Sequence, residues 1–440
     1  MNAVAEIREP AERRVIAARR ATSGVLPAWL RGQAINVTRH AAGLRPFRND
    51  EFGGGPASPT EAHIAAANAL IGGLRGRLLR MTQTVSKLAR LATAEPATAH
   101  LQALVRHKER AHGWVQMIER IWDFYLELFG QRLSQPYANW LLSCDRIGLD
   151  CYQAVFLGLG TAKSIPSPPP FTYLRTGFSP ATFRRGIRMS RLGKHLNPFP
   201  LIQLPYHRLI NPWTLGAVTH EVSHNLQNEL GLARLVPRNI ARRLLANGMG
   251  SSVAMTWVRW NRELFADLSG LLLGGPAVVG SLLDVIGRSP ETVLAFDPRG
   301  VHPTPYFRAL LSLELLRRMG FAAEANAYRR MWLQMYPDPR AGTLPARMLA
   351  TFPDAAALVV DTVCYQPYAE LGKVSLASAI RFGAKEQAIV EEASRRLAAG
   401  IDPGVVPERF LIGAARIAFE RQLARPGVIM TNFYKELVRR

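Results

Sequence analysis

The stretch Phe199–Gly231, FPLIQLPYHRLINPWTLGAVTHEVSHNLQNELG, holds the change of pattern from which the fold is read. Its first part, FPLIQLPYHRLI, is a short apolar run that reads as a strand. Asn211 and Pro212 follow, the pairing expected of an N-cap and a first helical position. WTLGAVTHEVSHNLQNEL then carries Leu215, Val218, Val222 and Leu226 at helical spacing. Gly231 fits the residue that closes such a helix. Working outward, RRGIRMSRL (Arg184–Leu192) reads as a second strand. Further helices are expected over Pro237–Ala246, Ser252–Leu273 and Pro303–Arg318.

On the N-terminal side, helical spacing runs from Glu61 to about Gly130 and continues from Pro136 to Gly160. Residues 1–60 are rich in Arg, Gly and Pro, with FGGGPASPTEA at their end, and read as a mobile basic lead-in with room for one short helix. The proline run SIPSPPP (Ser164–Pro170) is a stiff break and a natural boundary. The C-terminal region is mainly helical, broken by YPDPRAGTLP and GIDPGVVP. The expected class is mainly α with a small central β-sheet (α+β). The expected segments are a lead-in over 1–60, a helical region over 61–163, a core over 171–320 and a helical region over 321–440.

The 440 residues are 48% hydrophobic and 20% charged, enough for a large core and against a disordered polyelectrolyte. The formal net charge is +22, carried mostly by Arg. Such a charge favours an anionic partner, nucleic acid or a membrane surface. The plainer reading is Arg spread over a solvated surface, since no Lys/Arg run is long enough for a dedicated arm. Cys144, Cys151 and Cys364 make no disulfide framework and read as buried thiols. The first thirty residues contain no continuous apolar run of a secretory signal. LSGLLLGGPAVVGSLLDVIG (Leu268–Gly287) is broken by Pro276, several Gly and Asp284, and reads as two core helices rather than a membrane span. With no transmembrane helix expected, the chain reads as cytoplasmic.

The chemistry lies in HEVSH, an HExxH pattern formed by His220, Glu221 and His224. On a helix, positions i and i+4 share one face about 5–6 Å apart. Two imidazoles there can each reach one zinc ion at about 2.0–2.1 Å. Glu221 is placed to take a proton from a water without being a ligand. A third ligand is needed, because catalytic zinc sites keep three protein ligands and one open position. NRELFADLSG supplies Glu263 as that ligand. It also supplies Asp267, four residues on, as a carboxylate able to hold the far nitrogen of a ligating His. Two acids within so apolar a run are costly to bury without partners, and a Zn2+ ion and an imidazole are suitable ones. Taken alone, an ExxxD pattern is a common helix surface, and a buried His pair can be purely structural.

HExxH followed by ExxxD resembles the gluzincin clan of zinc metallopeptidases, to which thermolysin belongs. VHPTPYFRALLSLELL adds His302, Pro303 and Arg308 in an HPxxxxR pattern. With ELFAD matching ExxAD, this is similar to the CAAX prenyl endopeptidases and their bacterial heat-shock homologues. The resemblance covers roughly Pro198–Met319. It implies a zincin-like core flanked by helical regions, with a peptide or protein substrate. It also implies that His302 faces the site and helps bind the substrate carbonyl or oxyanion, with Tyr306 as a second candidate for that role. Val301 stands where that family usually has Thr, and its usual membrane helices are not found, so prenyl-peptide cleavage is not carried over. Two other functions stay open on the residues alone: a non-catalytic zinc-binding interaction protein, and a basic protein that binds nucleic acid or an anionic surface. One further pattern is LLSCDRIGL (Leu141–Leu149), which aligns its Asp, Gly and last Leu with ELFADLSGL. Two similar amphipathic helices explain it more simply than a degenerate copy of the second motif.

Overall fold

A computed structural model describes residues 24–440 of the chain; residues 1–23, the start of the expected lead-in, lie outside the described residues. The chain divides into two compact units. The first contains the described residues up to Phe52, together with Pro59–Gly130 and Arg188–His195. It is built on three helices: α1 (Val25–Gly43), α2 (Glu61–Ala94) and α3 (Thr98–Gly130). Over its described part, the expected mobile lead-in is instead largely α1, which packs on α2. Leu30, Val37 and Ala41 recur at helical spacing and are fully buried, a stripe that the surrounding Arg and Gly content masks in composition. α2 is one continuous helix whose start is capped by the Thr60 hydroxyl, which accepts from the His63 backbone N–H.

The second unit contains Gly53–Ser58, Gln131–Ile187 and Leu196–Arg440. It opens with α4 (Tyr137–Gly158), followed by three short strands, β1 (Phe171–Leu174), β2 (Ala181–Phe183) and β3 (Leu201–Leu204). These form one mixed sheet in the order β1-β3-β2, with β3 parallel to β1 and antiparallel to β2. Leu201, Ile202 and Leu204 are fully buried, as the middle strand requires. The proline run Ser164–Pro170 is not where the units divide: the break falls after Gly130, and α4 belongs with the sheet. Asp145 of α4 accepts from the Thr172 backbone N–H (2.8 Å) and hydroxyl (2.7 Å). The buried Arg132 lies 2.8 Å from the other Asp145 oxygen and donates to the Thr172 carbonyl (2.6 Å), tying β1 to α4.

The expected strand Arg184–Leu192 does not form. Its apolar residues are few, and only Met189 and Leu192 are buried. Arg185 pairs with Glu229 (3.2 Å) and donates to the carbonyls of Ser167 (2.8 Å) and Pro198 (3.2 Å), and the segment ends in a 3-10 turn, Ser190–Leu192. FPLIQLPYHRLI is a strand only to Leu204; a single helical turn, Tyr206–Ile210, follows Pro205. The Asn211 side chain caps nothing, and Pro212 opens a 3-10 turn, Pro212–Thr214.

The helices of the second unit continue as α5 (Gly216–Glu229), α6 (Leu235–Ala246), α7 (Ser251–Gly274), α8 (Pro276–Ile286), α9 (Pro305–Arg318), α10 (Ala322–Met335), α11 (Ala346–Val360), α12 (Ala384–Ala399), α13 (Phe410–Glu420) and α14 (Pro426–Arg439). Gly231 closes α5 at φ +80°. Its N–H donates to the Asn228 carbonyl (3.1 Å) and that of Leu232 to Gln227 (3.0 Å), the paired bonds of a left-handed helix stop. Leu268–Gly287 folds as the end of α7 and then α8, a buried helical pair as expected. Ala346–Tyr365, covering α11 and the turn after it, is long and apolar enough to cross a membrane by length and composition. It packs on α7 and α9 and buries Phe352, Ala355, Ala356, Val359 and Val360. The three cysteines are free and buried.

Candidate metal and active site

α5 lies along α7, and the two approach closely at Gly270. A Cβ added at Gly270 would stand 3.2 Å from the Thr219 hydroxyl and 3.4 Å from the His220 backbone nitrogen. The absence of a side chain there lets the two helices pack closely beside His220, and Glu263 lies two turns earlier on α7.

The Nε2 atoms of His220 and His224 are 3.1 Å apart. Glu263 stands 3.5 Å from the first through Oε2 and 3.4 Å from the second through Oε1. Ligands about 2.0–2.1 Å from a tetrahedral zinc ion stand about 3.3 Å from one another. The three residues are thus spaced as the donor set requires, and they form the one group of three or more potential ligands found among the described residues.

The supporting contacts come from the two helices named in the sequence. Nδ1 of His220 lies 2.8 Å from Oδ1 of Asp267, at a bent angle. Arg308, from α9, donates through Nη2 to the same Asp267 oxygen (2.8 Å) and through Nε to the other, and approaches Glu263 at 3.4 Å. The sequence pattern contains Arg308 but gives no hint that its partner is Asp267. His302 lies in the turn before α9, is 71% exposed and places Nε2 3.7 Å from Glu263. Tyr306 is buried and does not line the cavity. α9 begins at Pro305 rather than Pro303, so His302 lies outside the helix and the two residues share no helical face. The expected oxyanion role of Tyr306 gains no support from the cavity lining.

These groups open on a cavity of about 400 Å³. Glu221 lines it, is 6% exposed, and makes no side-chain hydrogen bond or ion pair among the described residues. Such a group has only solvent or a substrate to bond. β2 lies at the sheet edge beside the cavity and is held there by Asn225 of α5, which donates to the Thr182 hydroxyl (2.8 Å). Asn225 directly follows the HExxH motif, and nothing in its type or spacing announces this contact.

The charges balance in an informative way. Burial pushes the Glu221 carboxyl up to about 7, with the His220 charge opposing. Burial works against the protonated form of His220, but Asp267 and Glu263 outweigh it and push the imidazole up to about 10. His224 is pushed down to about 3 by burial and by His220, so the pair holds one proton between them. Burial disfavours ionisation of Glu263 and Asp267, yet His220 and Arg308 hold both below the usual carboxylate range. Ionised Glu221, Glu263 and Asp267 against Arg308 leave two negative charges. A divalent cation neutralises them; without one, protons on His220 and Glu221 do the same.

No family model, curated protein or solved structure matches the chain. The family resemblance rests on the motif residues themselves.

Proposed function

We propose that this protein is a zinc-dependent peptidase, with His220, His224 and Glu263 as metal ligands and Glu221 as general base. The observation that carries the reading is the partnerless, buried Glu221 beside three donors at tetrahedral spacing. A purely structural cluster has no need of a carboxylate that faces the cavity without a protein partner. Two imidazoles and a carboxylate suit zinc, with a position left for solvent.

Zinc held there would polarise the scissile carbonyl and lower the pKa of water toward about 7. The remaining steps belong to the chain. Asp267 fixes the orientation of His220, and Arg308 holds Asp267 ionised. Glu221 takes the proton from the attacking water and delivers it to the departing amine. β2 offers its unpaired edge to an extended peptide backbone, which positions the carbonyl over the site. His302, exposed at the cavity rim, donates to the oxygen on which negative charge develops.

The test is the Glu221→Gln substitution. The amide keeps the size of the side chain but cannot accept the proton. The variant is expected to bind one zinc ion per chain and to lose at least about a hundredfold in peptide cleavage. Full turnover in this variant would remove Glu221 from the role, and an unmodified chain that binds zinc but cuts no peptide in a mixed library would leave a metal-binding interaction protein.

A further inference from the structure

The cavity is polarised along α5. Its wall beside the start of α5 is formed by Leu271 of α7 and by Val278, Val279, Leu282 and Val285 of α8. The wall beside the end of α5 carries Arg184, just after β2, and Arg262, one residue before Glu263. Neighbouring contacts fix this direction. Arg185 pairs with Glu229 at the last turn of α5, and Gln227 donates to Asn261 (3.2 Å) beside Arg262.

Arg184 and Arg262 differ from the other arginine that lines the cavity. Arg308 is bound by Asp267, whereas neither Arg184 nor Arg262 has a hydrogen bond or a carboxylate partner for its side chain among the described residues. Arg184 is half-buried, and burial together with the charge of Arg262 makes its guanidinium harder to keep protonated. Two cations that line the same wall, Arg184 half-buried and Arg262 exposed, both without a partner among the described residues, suit a bound anion.

Resting on the peptidase reading, we propose that the site selects peptides with a carboxylate on the Arg184–Arg262 side of the scissile bond and an apolar residue on the α8 side. An acidic side chain and a free chain terminus offer the same carboxylate chemistry.

Zinc-loaded Glu221→Gln protein is used to measure binding without cleavage. The probes are fluorescent peptides that share an apolar residue and differ by Glu against Gln, each with a free or an amidated C-terminus. The carboxylate form is expected to bind at least about tenfold tighter than its neutral counterpart. A preference for Glu over Gln that survives amidation places an acidic side chain in the site; a loss of binding on amidation that is equal for the Glu and Gln peptides places the chain terminus there. In the added Arg184→Glu/Arg262→Glu background the preference is expected to invert, with a Lys-bearing peptide now favoured. Inversion is a gain of binding that a damaged fold does not produce, and zinc content confirms that the site is intact. Equal affinity for all peptides, no binding of any, or a preference unchanged by the double substitution overturns the proposal. Failure of the peptidase reading looks different: the unmodified chain binds the carboxylate peptide selectively and leaves it uncut.

Discussion

Glu221 is buried, ionisable and without a protein partner among the described residues, an electrostatic liability. Its folded-state pKa of about 7 exceeds the ordinary 4.5, so it favours folding below the ordinary value and that contribution is lost as pH rises toward 7. The difference corresponds to about 3 kcal/mol. Gln cannot ionise and avoids this cost. The metal-free Glu221→Gln variant is therefore expected to match the unmodified chain near pH 4 and to exceed its stability by up to about 3 kcal/mol at pH 8. Denaturant melts of chelator-treated protein measure this, and an offset constant in pH would show that ionisation of Glu221 is not its source. The same residue was legible in the sequence because HExxH is local: one helical repeat fixes which side chains share a face. Arg184 and Arg262 were not legible. Among 55 Lys and Arg residues, nothing in the chain marks a cation that lacks a partner.

At the scale of elements, the site exists because α5 and α7 approach closely at Gly270. Gly270→Ala gains about 1 kcal/mol in helix propensity. It also forces a methyl to within 3.2 Å of the Thr219 hydroxyl, and overpacking of this kind costs about 1–3 kcal/mol. Net stability changes little or falls modestly, but the helices separate where Glu263 must meet the His pair. Zinc affinity is expected to drop by about tenfold or more. Adding Thr219→Ala makes room and should restore part of the affinity; competition with a coloured chelator reads both. Unaltered affinity in Gly270→Ala would show that the helix spacing tolerates the methyl. The aligned segment on α4 makes no such demand of its glycine, since a Cβ at Gly148 would meet Val222 on α5 at 3.7 Å, an ordinary contact. Its Asp145 anchors β1 instead of holding a ligand, so the likeness does not extend to the site, and Leu141 stands where Glu263 stands. The long helices were readable because their buried stripes repeat over many turns. β1 and β2 were not: strands of four and three residues carry too few positions to show a period, and β3, equally short, was read from its apolar run.

Across the whole molecule, the division after Gly130 and the assignment of Arg188–His195 to the first unit depend on contacts far apart in sequence, which local patterning does not contain. The proposed site has the same character, since it draws on α5, α7 and the approach to α9, yet all of it lies within the second unit. Although the chain carries a formal +22, this buried centre tends to neutrality. That gives zinc a definite linkage to pH. Below pH 7 the incoming ion displaces protons from both His220 and Glu221; above pH 7 Glu221 has already lost its proton and His220, at about 10, supplies the one that remains. Zinc affinity should therefore rise with pH across this range. A ligand at a hundred times its Kd stabilises the folded state by about 2.7 kcal/mol, so the same rise appears in stability. At fixed free zinc, the Tm gap between loaded and chelator-treated protein is expected to widen from pH 6 to pH 8. Calorimetry in buffers of different ionisation enthalpy counts the released protons directly. A gap that stays level or narrows with rising pH would mean that these two groups do not hold the protons that the cation replaces.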